Sequence, residues 1–323
     1  MPPAPPPPVR TLLAVAHCTN GLANRFAGLR GALRFAEATG RRLVVEWAPG
    51  GQEANWLEPY HGIGWRFGPA PGSLRPSDLD SPRIFGAAAR RDVERFVELA
   101  RSPAPLVVAS NLYHDASHTP MADANISHCY AQYQRLFQPS PKLLQMVVDH
   151  IVEVGLCPRP PSLPFSCAWH GLQIRRSDHI AKSHPKHHGQ REPHLTSTEV
   201  RGVERALAEA VDGLDERRLF LTTNSRAVQR HVARLYPGVC TSKNASHLRH
   251  SSPTTGGYLG PLLEFLTLAG SARIVGTAGS SFAAEAAYFG NVQRLTLGDW
   301  GTFNMLAPAT RVFGTRNVSR PVL

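Results

Sequence analysis

The pair Arg175-Arg176 follows a short apolar run and precedes Ser177 and Asp178. Successive side chains of a strand point to opposite faces. One guanidinium can therefore reach a cleft while the other is held from behind, and Asp178 is one candidate to hold it. A guanidinium binds a diphosphate through forked hydrogen bonds and stabilises the negative charge on a departing nucleotide. The alternative is a structural ion pair at a strand end, which is common.

Two further segments could contribute to an anion site. Gly276–Phe282 lies between a predicted strand and a predicted helix, where free N–H groups and serine hydroxyls would bind an anion. Serine is also an ordinary N-cap residue, so this reading stays open. Gly21–Arg25 has a similar position in the first half but lacks the G-x-G-x-x-G of dinucleotide folds. There Asn24 could cap the helix and Arg25 could face the cleft.

A histidine-rich stretch lies between residues 179 and 194. Metal binding would require ligand spacing such as an i, i+4 pair with an acidic third ligand, and the stretch does not have it. We therefore expect no metal site, and we interpret the stretch as an acceptor-side or surface loop. Its histidines are His179, His184, His187, His188 and His194.

The charge balance points to an anionic partner but excludes one class of protein. The 323 residues carry a formal net charge of +11, with 42% hydrophobic and 18% charged residues. The arginines are scattered, and no run of five basic residues occurs. A nucleic-acid-binding protein would need a continuous basic face with interleaved aromatic residues, which the sequence does not show. General solubility explains the surplus charge equally well.

Cysteine usage and the amino terminus bear on the compartment. The five cysteines are odd in number and show no C-x-x-C spacing, so we expect reduced core thiols and neither a disulfide framework nor a zinc site. N-x-S sequons occur at Asn125, Asn244 and Asn317 and would matter only in a secretory compartment. Met1–Pro8 is a proline tract, and no signal peptide or transmembrane segment is evident. The default expectation is a soluble, cytoplasmic protein.

The order of predicted elements indicates an α/β protein. Val9–Ala16 and Arg42–Trp47 read as buried strands, and apolar residues at steps of three and four predict a helix over residues 24–39 between them. This βαβ unit implies a parallel sheet. A helix is predicted over residues 93–100 and a strand over residues 106–110.

The second half repeats the rhythm. The capping box Thr196-x-x-Glu199 predicts the start of a helix. Residues 219–223 read as a strand and residues 259–269 as a helix. Four prolines within residues 157–166 predict a linker. We therefore expect a proline-rich lead (1–8), a first α/β domain (9–160) and a second α/β domain (165–323).

The motifs resemble those of one family in order and position. The family is the fucosyltransferases that include the bacterial nodulation enzymes, the core-fucose enzymes of N-glycans and, more distantly, the protein O-fucosyltransferases. Q-I-R-R-S-D resembles the family's H-x-R-R-T-D, and GLANR resembles its opening G-L-G-N-R. The segments that carry the resemblance are Gly21–Trp47, Gln173–Asp178, Arg218–Ser225, Gly260–Ala269 and Gly279–Phe282.

The resemblance implies two Rossmann-like domains facing a cleft, the GT-B type, with the acceptor-side domain at 9–160 and the donor domain at 165–323. It also implies metal-independent inverting transfer from GDP-fucose to a saccharide or hydroxyl acceptor. No cofactor is expected. By the same resemblance Arg175 binds the β-phosphate beside Arg176, and Glu264 reads the guanine. Ser280 and Ser281 hold the phosphates. The remaining donor-binding positions it implies are Asn24, Arg25, Gln173, Asn224 and Phe282.

Four departures from the family pattern support a second hypothesis. Gln173 replaces the motif histidine, Asn224 and Ser225 replace paired acids, and Glu264 is one methylene longer than the family's aspartate. The carboxylate base of the core-fucose enzymes has no counterpart, although Asp178, His179 or Glu192 could serve. The second hypothesis is therefore a catalytically silent relative that binds a nucleotide sugar or a glycan.

Overall fold

A computed structural model describes residues 9–16, 22–47, 57–60, 62–67, 79–80, 101–110, 125–157, 167–176, 194–212, 218–241, 259–277, 280–297 and 311–313. The chain divides into two compact units. The first contains Met1–Ala124, Ala131–Ser140 and Pro253–Thr255, and the second contains Asn125–Tyr130, Pro141–Ser252 and Gly256–Leu323. The domain limits of the sequence analysis stay a prediction.

The first unit is built on a parallel sheet. Its strands are β1 (Thr11–Ala16), β2 (Arg42–Trp47), β4 (Gly64–Phe67), β5 (Leu79–Asp80) and β6 (Leu106–Ser110), in the order β4-β2-β1-β6-β5. Helix α1 (Leu22–Thr39) connects β1 to β2 and packs on both. This confirms the predicted βαβ unit, because Phe26 and Leu29 are buried as the apolar period required. A separate antiparallel pair joins β3 (Leu57–Pro59) to β7 (Phe137–Pro139).

The second unit contains a six-stranded sheet in the order β10-β9-β8-β11-β12-β13. Every pairing is parallel except that of β12 with β13. The strands are β8 (His170–Ile174), β9 (Leu219–Thr223), β10 (Cys240–Thr241), β11 (Arg273–Thr277), β12 (Arg294–Leu297) and β13 (Arg311–Phe313). From β8 the chain first adds β9 and β10 on one side and then β11 to β13 on the other. The strand order therefore reverses between β8 and β11, which is where doubly wound sheets bind ligands.

Six further helices are described, and five of them lie in the second unit. Helix α2 (Ile126–Leu136) has residues in both units. The second unit also holds α3 (Pro141–Glu153), α4 (Ser197–Val211), α5 (Arg226–Leu235), α6 (Leu259–Ala269) and α7 (Ser281–Gly290). Helix α3 packs on α6, and α4 packs on β8 and β11. The alternation of parallel strands with these helices confirms the predicted α/β class.

Close helix and strand packing depends on small residues near the reversal point. A Cβ built on Gly276 in β11 would lie 2.6 Å from the Cβ of Ala283 in α7. A Cβ on Gly290, at the end of α7, would overlap the carbonyl oxygen of Ala269 in α6. These two glycines let α7 sit directly against β11 and α6, which fixes the position of the α7 amino terminus.

The cysteine prediction is wrong for one pair. Cys157 and Cys167 form a disulfide, with Cα atoms 6.1 Å apart, whereas the buried Cys129 and Cys240 are free. The odd count and the missing C-x-x-C spacing suggested reduced thiols. The fold instead returns the chain from the end of α3 to the start of β8, so two cysteines flanking the proline-rich stretch meet. The predicted helix over residues 93–100 lies outside the described residues.

Candidate functional site

The candidate site begins where β8 and β11 part. The backbone N–H of Arg175, just after β8, donates to Thr277 Oγ1 at 3.1 Å. The same hydroxyl donates to the Gln173 carbonyl at 3.4 Å. Thr277 is the last residue of β11, so it ties the two strand ends together across the reversal point. Arg175 is partly exposed and Arg176 is buried, as the alternation of side chains at a strand end predicts.

Arg176 is held from behind by Glu199. Its Nε and Nη2 donate to the two Glu199 carboxylate oxygens at 2.8 and 3.1 Å, and Nη2 also donates to the His194 carbonyl at 3.0 Å. Burial alone would raise the pKa of Glu199, but hydrogen bonds from Arg176 and Thr196 outweigh it and hold that pKa below its usual value. The observed partner is therefore Glu199, and Asp178 lies outside the described residues.

Glu199 combines two functions that the sequence presents as one. Its carboxylate accepts the backbone N–H of Thr196 at 2.8 Å, while its own N–H donates to Thr196 Oγ1 at 3.2 Å. This is the predicted capping box at the start of α4. The arginine-binding role was missed, since a capping box by itself does not indicate which other group its glutamate contacts.

Asn224 holds the backbone of Arg176. Its Oδ1 accepts the Arg176 N–H at 2.8 Å, and its Nδ2 donates to the Arg176 carbonyl at 3.1 Å. Asn224 follows β9, so the bonds join the ends of β8 and β9. We call Arg176, Glu199 and Asn224 the bracket. The neighbouring Ser225 caps α5 by accepting the Val228 N–H at 3.1 Å. A donor contact of Asn224 stays a prediction.

Two buried polar atoms near Arg175 have no hydrogen-bond partner within the described part of the chain. One is Oε1 of Gln173, whose residue is 5% exposed, and the other is Oγ of Ser280, whose residue is 3% exposed. Ser280 stands at the N-cap of α7, yet its hydroxyl makes no cap hydrogen bond. Leaving such a group unpaired costs about 1–3 kcal/mol, so both atoms are positioned to gain from a bound polar group. We call Gln173, Arg175 and Ser280 the switch-point edge.

The amino terminus of α7 provides the remaining polar surface of this edge. Ser281 is the first helical residue and is partly exposed. Helix amino termini present free N–H groups and a partial positive charge, which favour anions. Phe282 packs edge-to-face on Phe265 of α6, with ring centroids 5.6 Å apart. That contact anchors the first turn of α7 to α6.

Glu264 is a buried residue of α6 at 1% exposure. Its Oε2 accepts the Thr222 hydroxyl of β9 at 2.8 Å. His150 of α3 lies within its electrostatic influence: burial lowers the pKa of His150, and the Glu264 charge opposes that shift only in part. The interaction of His150 with Glu264 could not be predicted from the sequence, because a single histidine on an amphipathic helix does not indicate its partners.

The first unit holds the other two candidate residues. Helix α1 begins at Leu22, so Asn24 lies in its first turn rather than at its N-cap. Arg25 is 3% exposed, and its guanidinium carbon lies 5.3 Å from the centre of the Trp47 ring. This cation–π contact joins α1 to the end of β2. The geometry thus gives Arg25 a packing role and leaves its predicted donor contact a prediction.

Metal ligands are not clustered in the described residues. No group of three His, Cys, Asp or Glu side chains there could hold an ion. Most of the histidine-rich stretch, together with Asp178, His179 and Glu192, lies outside the described residues. Among the described helices, none has the length and apolar character of a membrane span.

Comparison with known proteins identifies the fold. No protein-family model matches the chain, and no curated protein sequence does. Among solved structures, NodZ α-1,6-fucosyltransferase soaked with GDP-fucose matches with a TM-score of 0.56 and 17% identity, over 94% of this chain and 98% of that one. A variant of Arabidopsis thaliana FUT1 in complex with GDP matches with a TM-score of 0.58 and 15% identity, over 93% and 73%.

A third solved structure, of POFUT1 without ligand, matches with a TM-score of 0.48 and 11% identity, over 90% of this chain and 97% of that one. The chain therefore has the α/β fold of the GT-B fucosyltransferases NodZ and plant FUT1. At these identities the likeness establishes the fold alone, and function has to be argued from the site.

Proposed function

We propose that this chain is a metal-independent, inverting glycosyltransferase that moves fucose from GDP-fucose to a hydroxyl of a saccharide acceptor. The observation that carries the proposal is the switch-point edge. Two buried polar atoms, Gln173 Oε1 and Ser280 Oγ, have no hydrogen-bond partner among the described residues and lie with Arg175 at the strand ends where β8 and β11 diverge. A nucleotide sugar offers phosphate oxygens that can accept from the Ser280 hydroxyl and sugar hydroxyls that can donate to Gln173 Oε1. Its diphosphate also carries the negative charge that an arginine and a helix amino terminus attract.

The diphosphate would be bound by the groups nearest this edge. Arg175 presents a planar fork of N–H donors to the β-phosphate. Ser280, Ser281 and the free N–H groups of α7 would donate to the phosphate oxygens. All of these donors are protein groups, and together they would stabilise the negative charge of the diphosphate without a divalent ion. That is the basis for proposing metal independence.

Transfer would break the bond between the fucose anomeric carbon and the β-phosphate oxygen. The acceptor oxygen attacks that carbon from the opposite face and loses its proton, so the configuration inverts and GDP departs with the bonding electrons. The transition state is oxocarbenium-like, and stabilising the departing diphosphate lowers its energy. Arg175 is the catalytic residue in this scheme. Candidates for the base are Asp178, His179 and Glu192.

Recognition of the guanine nucleobase is assigned to Glu264. The Glu264 carboxylate, which accepts from the Thr222 hydroxyl, would accept from the N1 and N2 groups of guanine. Adenine presents an acceptor at the corresponding ring nitrogen, so it would leave the carboxylate uncompensated, which is costly in a buried site.

A second candidate function is nucleotide-sugar or glycan binding without transfer. One observation favours it: both polar atoms of Asn224 are used by the Arg176 backbone, and Ser225 is used as a helix cap. The two residues that stand where the family has paired acids thus serve the fold. In this reading the switch-point edge still binds the donor, but no group activates the acceptor.

The two functions are separated by a transfer assay in EDTA. The protein is incubated with GDP-fucose and a panel of saccharides, and NMR follows GDP release and the anomeric configuration of the product. The enzyme proposal expects GDP release and a product of inverted configuration, both slowed about 10²–10³-fold in Arg175→Lys. Donor binding without release or product would support the second candidate. Transfer that requires added metal would contradict metal independence.

A further inference from the structure

The sequon Asn125-Ile126-Ser127 is used to begin helix α2. Asn125 Oδ1 accepts the backbone N–H groups of Ser127 and His128 at 2.9 and 3.4 Å, and the Asn125 carbonyl accepts the Cys129 N–H at 3.0 Å. This is the hydrogen-bond pattern of an N-cap residue. Asn125 and Ser127 are both exposed.

The cap uses only one of the two polar atoms of the Asn125 side chain. Oδ1 carries both cap bonds, and Nδ2 makes no hydrogen bond to any described residue. An N-linked sugar is attached at Nδ2 and keeps the amide oxygen as an acceptor. The geometry therefore accepts a glycan at this position without loss of the helix cap. Attachment at a buried amide, or at one whose oxygen and nitrogen both make hydrogen bonds within the protein, would instead disrupt the fold.

The disulfide gives an independent indication of where the chain folds. Cys157 is 1% exposed and is bonded to Cys167, which precedes β8. Reducing compartments keep thiols reduced, whereas disulfides form where proteins are also N-glycosylated. The pair closes the proline-rich stretch between α3 and β8. The cytoplasmic location expected by default does not fit a buried structural disulfide.

We propose that Asn125 carries an N-linked glycan and that the chain matures in a disulfide-forming, glycan-adding compartment. The donor is an oligosaccharide on a lipid pyrophosphate. Nδ2 forms a bond to the anomeric carbon, the bond from that carbon to the pyrophosphate oxygen breaks, and the proton released from Nδ2 goes to a base as the lipid pyrophosphate leaves. The Cys157 and Cys167 thiols give two electrons and two protons to a disulfide of an exchange catalyst, which becomes a dithiol.

Peptide mapping of the full-length protein from the cells that make it tests this. Digestion without reduction should yield Cys157 linked to Cys167. Treatment with a peptide N-glycosidase should convert residue 125 from Asn to Asp and remove the sugar mass from its peptide. Unmodified Asn125, or free thiols at Cys157 and Cys167, would overturn the proposal.

Two variants of one residue control for fold effects. Ser127→Ala removes the sequon while keeping the Asn125 cap, and Ser127→Thr keeps both. Complete loss of sugar at residue 125 is expected in the first and full retention in the second. After enzymatic deglycosylation, the wild type and Ser127→Thr should unfold at the same temperature. Sugar remaining at residue 125 in Ser127→Ala would contradict N-linked attachment at this sequon.

Discussion

The bracket and the switch-point edge contain the adjacent residues Arg176 and Arg175, but their polar atoms differ in hydrogen bonding. Within the bracket, Arg176, Glu199 and Asn224 satisfy one another through five hydrogen bonds of 2.8–3.1 Å, counting the bond to the His194 carbonyl. At the edge, Gln173 Oε1 and Ser280 Oγ are buried and have no partner among the described residues. Hydrogen bonds among described residues complete the bracket, whereas at the edge we expect a ligand to provide them.

The difference teaches which residues should affect stability and which should affect function. Breaking a completed network leaves a buried charge behind, so bracket variants should unfold more easily. We expect changes at the edge to remove contacts to the ligand, so edge variants should fold normally and fail to bind or transfer.

The largest effect is expected for Arg175→Lys. Lysine keeps the charge but loses the planar fork that stabilises the departing diphosphate. Removing one such stabilising group typically costs about 10²–10³ in kcat, or about 2.7–4 kcal/mol. Steady-state kinetics measures the change, and thermal unfolding should show a stable protein. Arg176→Lys is the matched variant. It should lower the free energy of unfolding, and its transfer rate should fall less than that of Arg175→Lys. Equal transfer rates in the two folded variants would remove the distinction.

Glu199→Gln tests the bracket. Arg176 then loses a charged partner, and hydrogen bonds to charged groups are worth about 1.5–3 kcal/mol each. Chemical denaturation should show a loss of that size. The pKa of Glu199 is lower folded than unfolded, so its contribution is present above the unfolded value and disappears as the pH falls through the folded value. The variant should lack this acid-dependent component. A wild-type stability in Glu199→Gln would show that the bracket is not required for folding.

Glu264→Gln tests recognition of the guanine nucleobase in the second unit. The amide introduces a donor where guanine requires an acceptor, and it removes the charge from the pair. An unpaired buried donor should lower GDP affinity by about 1–3 kcal/mol. Calorimetry of GDP binding measures it, with ADP binding as the comparison. If the affinity for GDP does not change, Glu264 belongs to the core beside Thr222 and the choice of nucleotide lies elsewhere.

Ser280→Ala should produce the smallest effect and the one most specific to the edge. The Ser280 hydroxyl is buried and has no hydrogen-bond partner among the described residues. Removing it should leave the ligand-free protein at least as stable as wild type. The same change should weaken GDP binding by about 0.5–1.5 kcal/mol, the usual net value of a hydrogen bond. Ser225→Ala is the matched control, since its hydroxyl caps α5 and its loss should cost about 1 kcal/mol of stability. Destabilisation of both variants alike would place Ser280 in the fold rather than the site.

Regular elements with strong local signals could be predicted from the sequence. Strands β2, β6 and β9 and helix α6 have the predicted limits, since short apolar runs and helical periodicity depend on nearby residues. The position of Arg175 and Arg176 on opposite sides also followed from strand geometry. Partners distant in sequence could not be predicted. Glu199, His150 and the Cys157–Cys167 bond become visible only when the sheet order brings separate segments together.

The most direct test of the central claim is calorimetry of GDP binding to the wild-type protein in EDTA, with UDP as competitor. If the switch-point edge is a site for a guanine nucleotide diphosphate, GDP binds without metal and stabilises the fold by mass action, about 2.7 kcal/mol at a hundredfold excess over the dissociation constant. UDP should bind more weakly. No binding of GDP in EDTA, or tighter binding of UDP, would contradict the account.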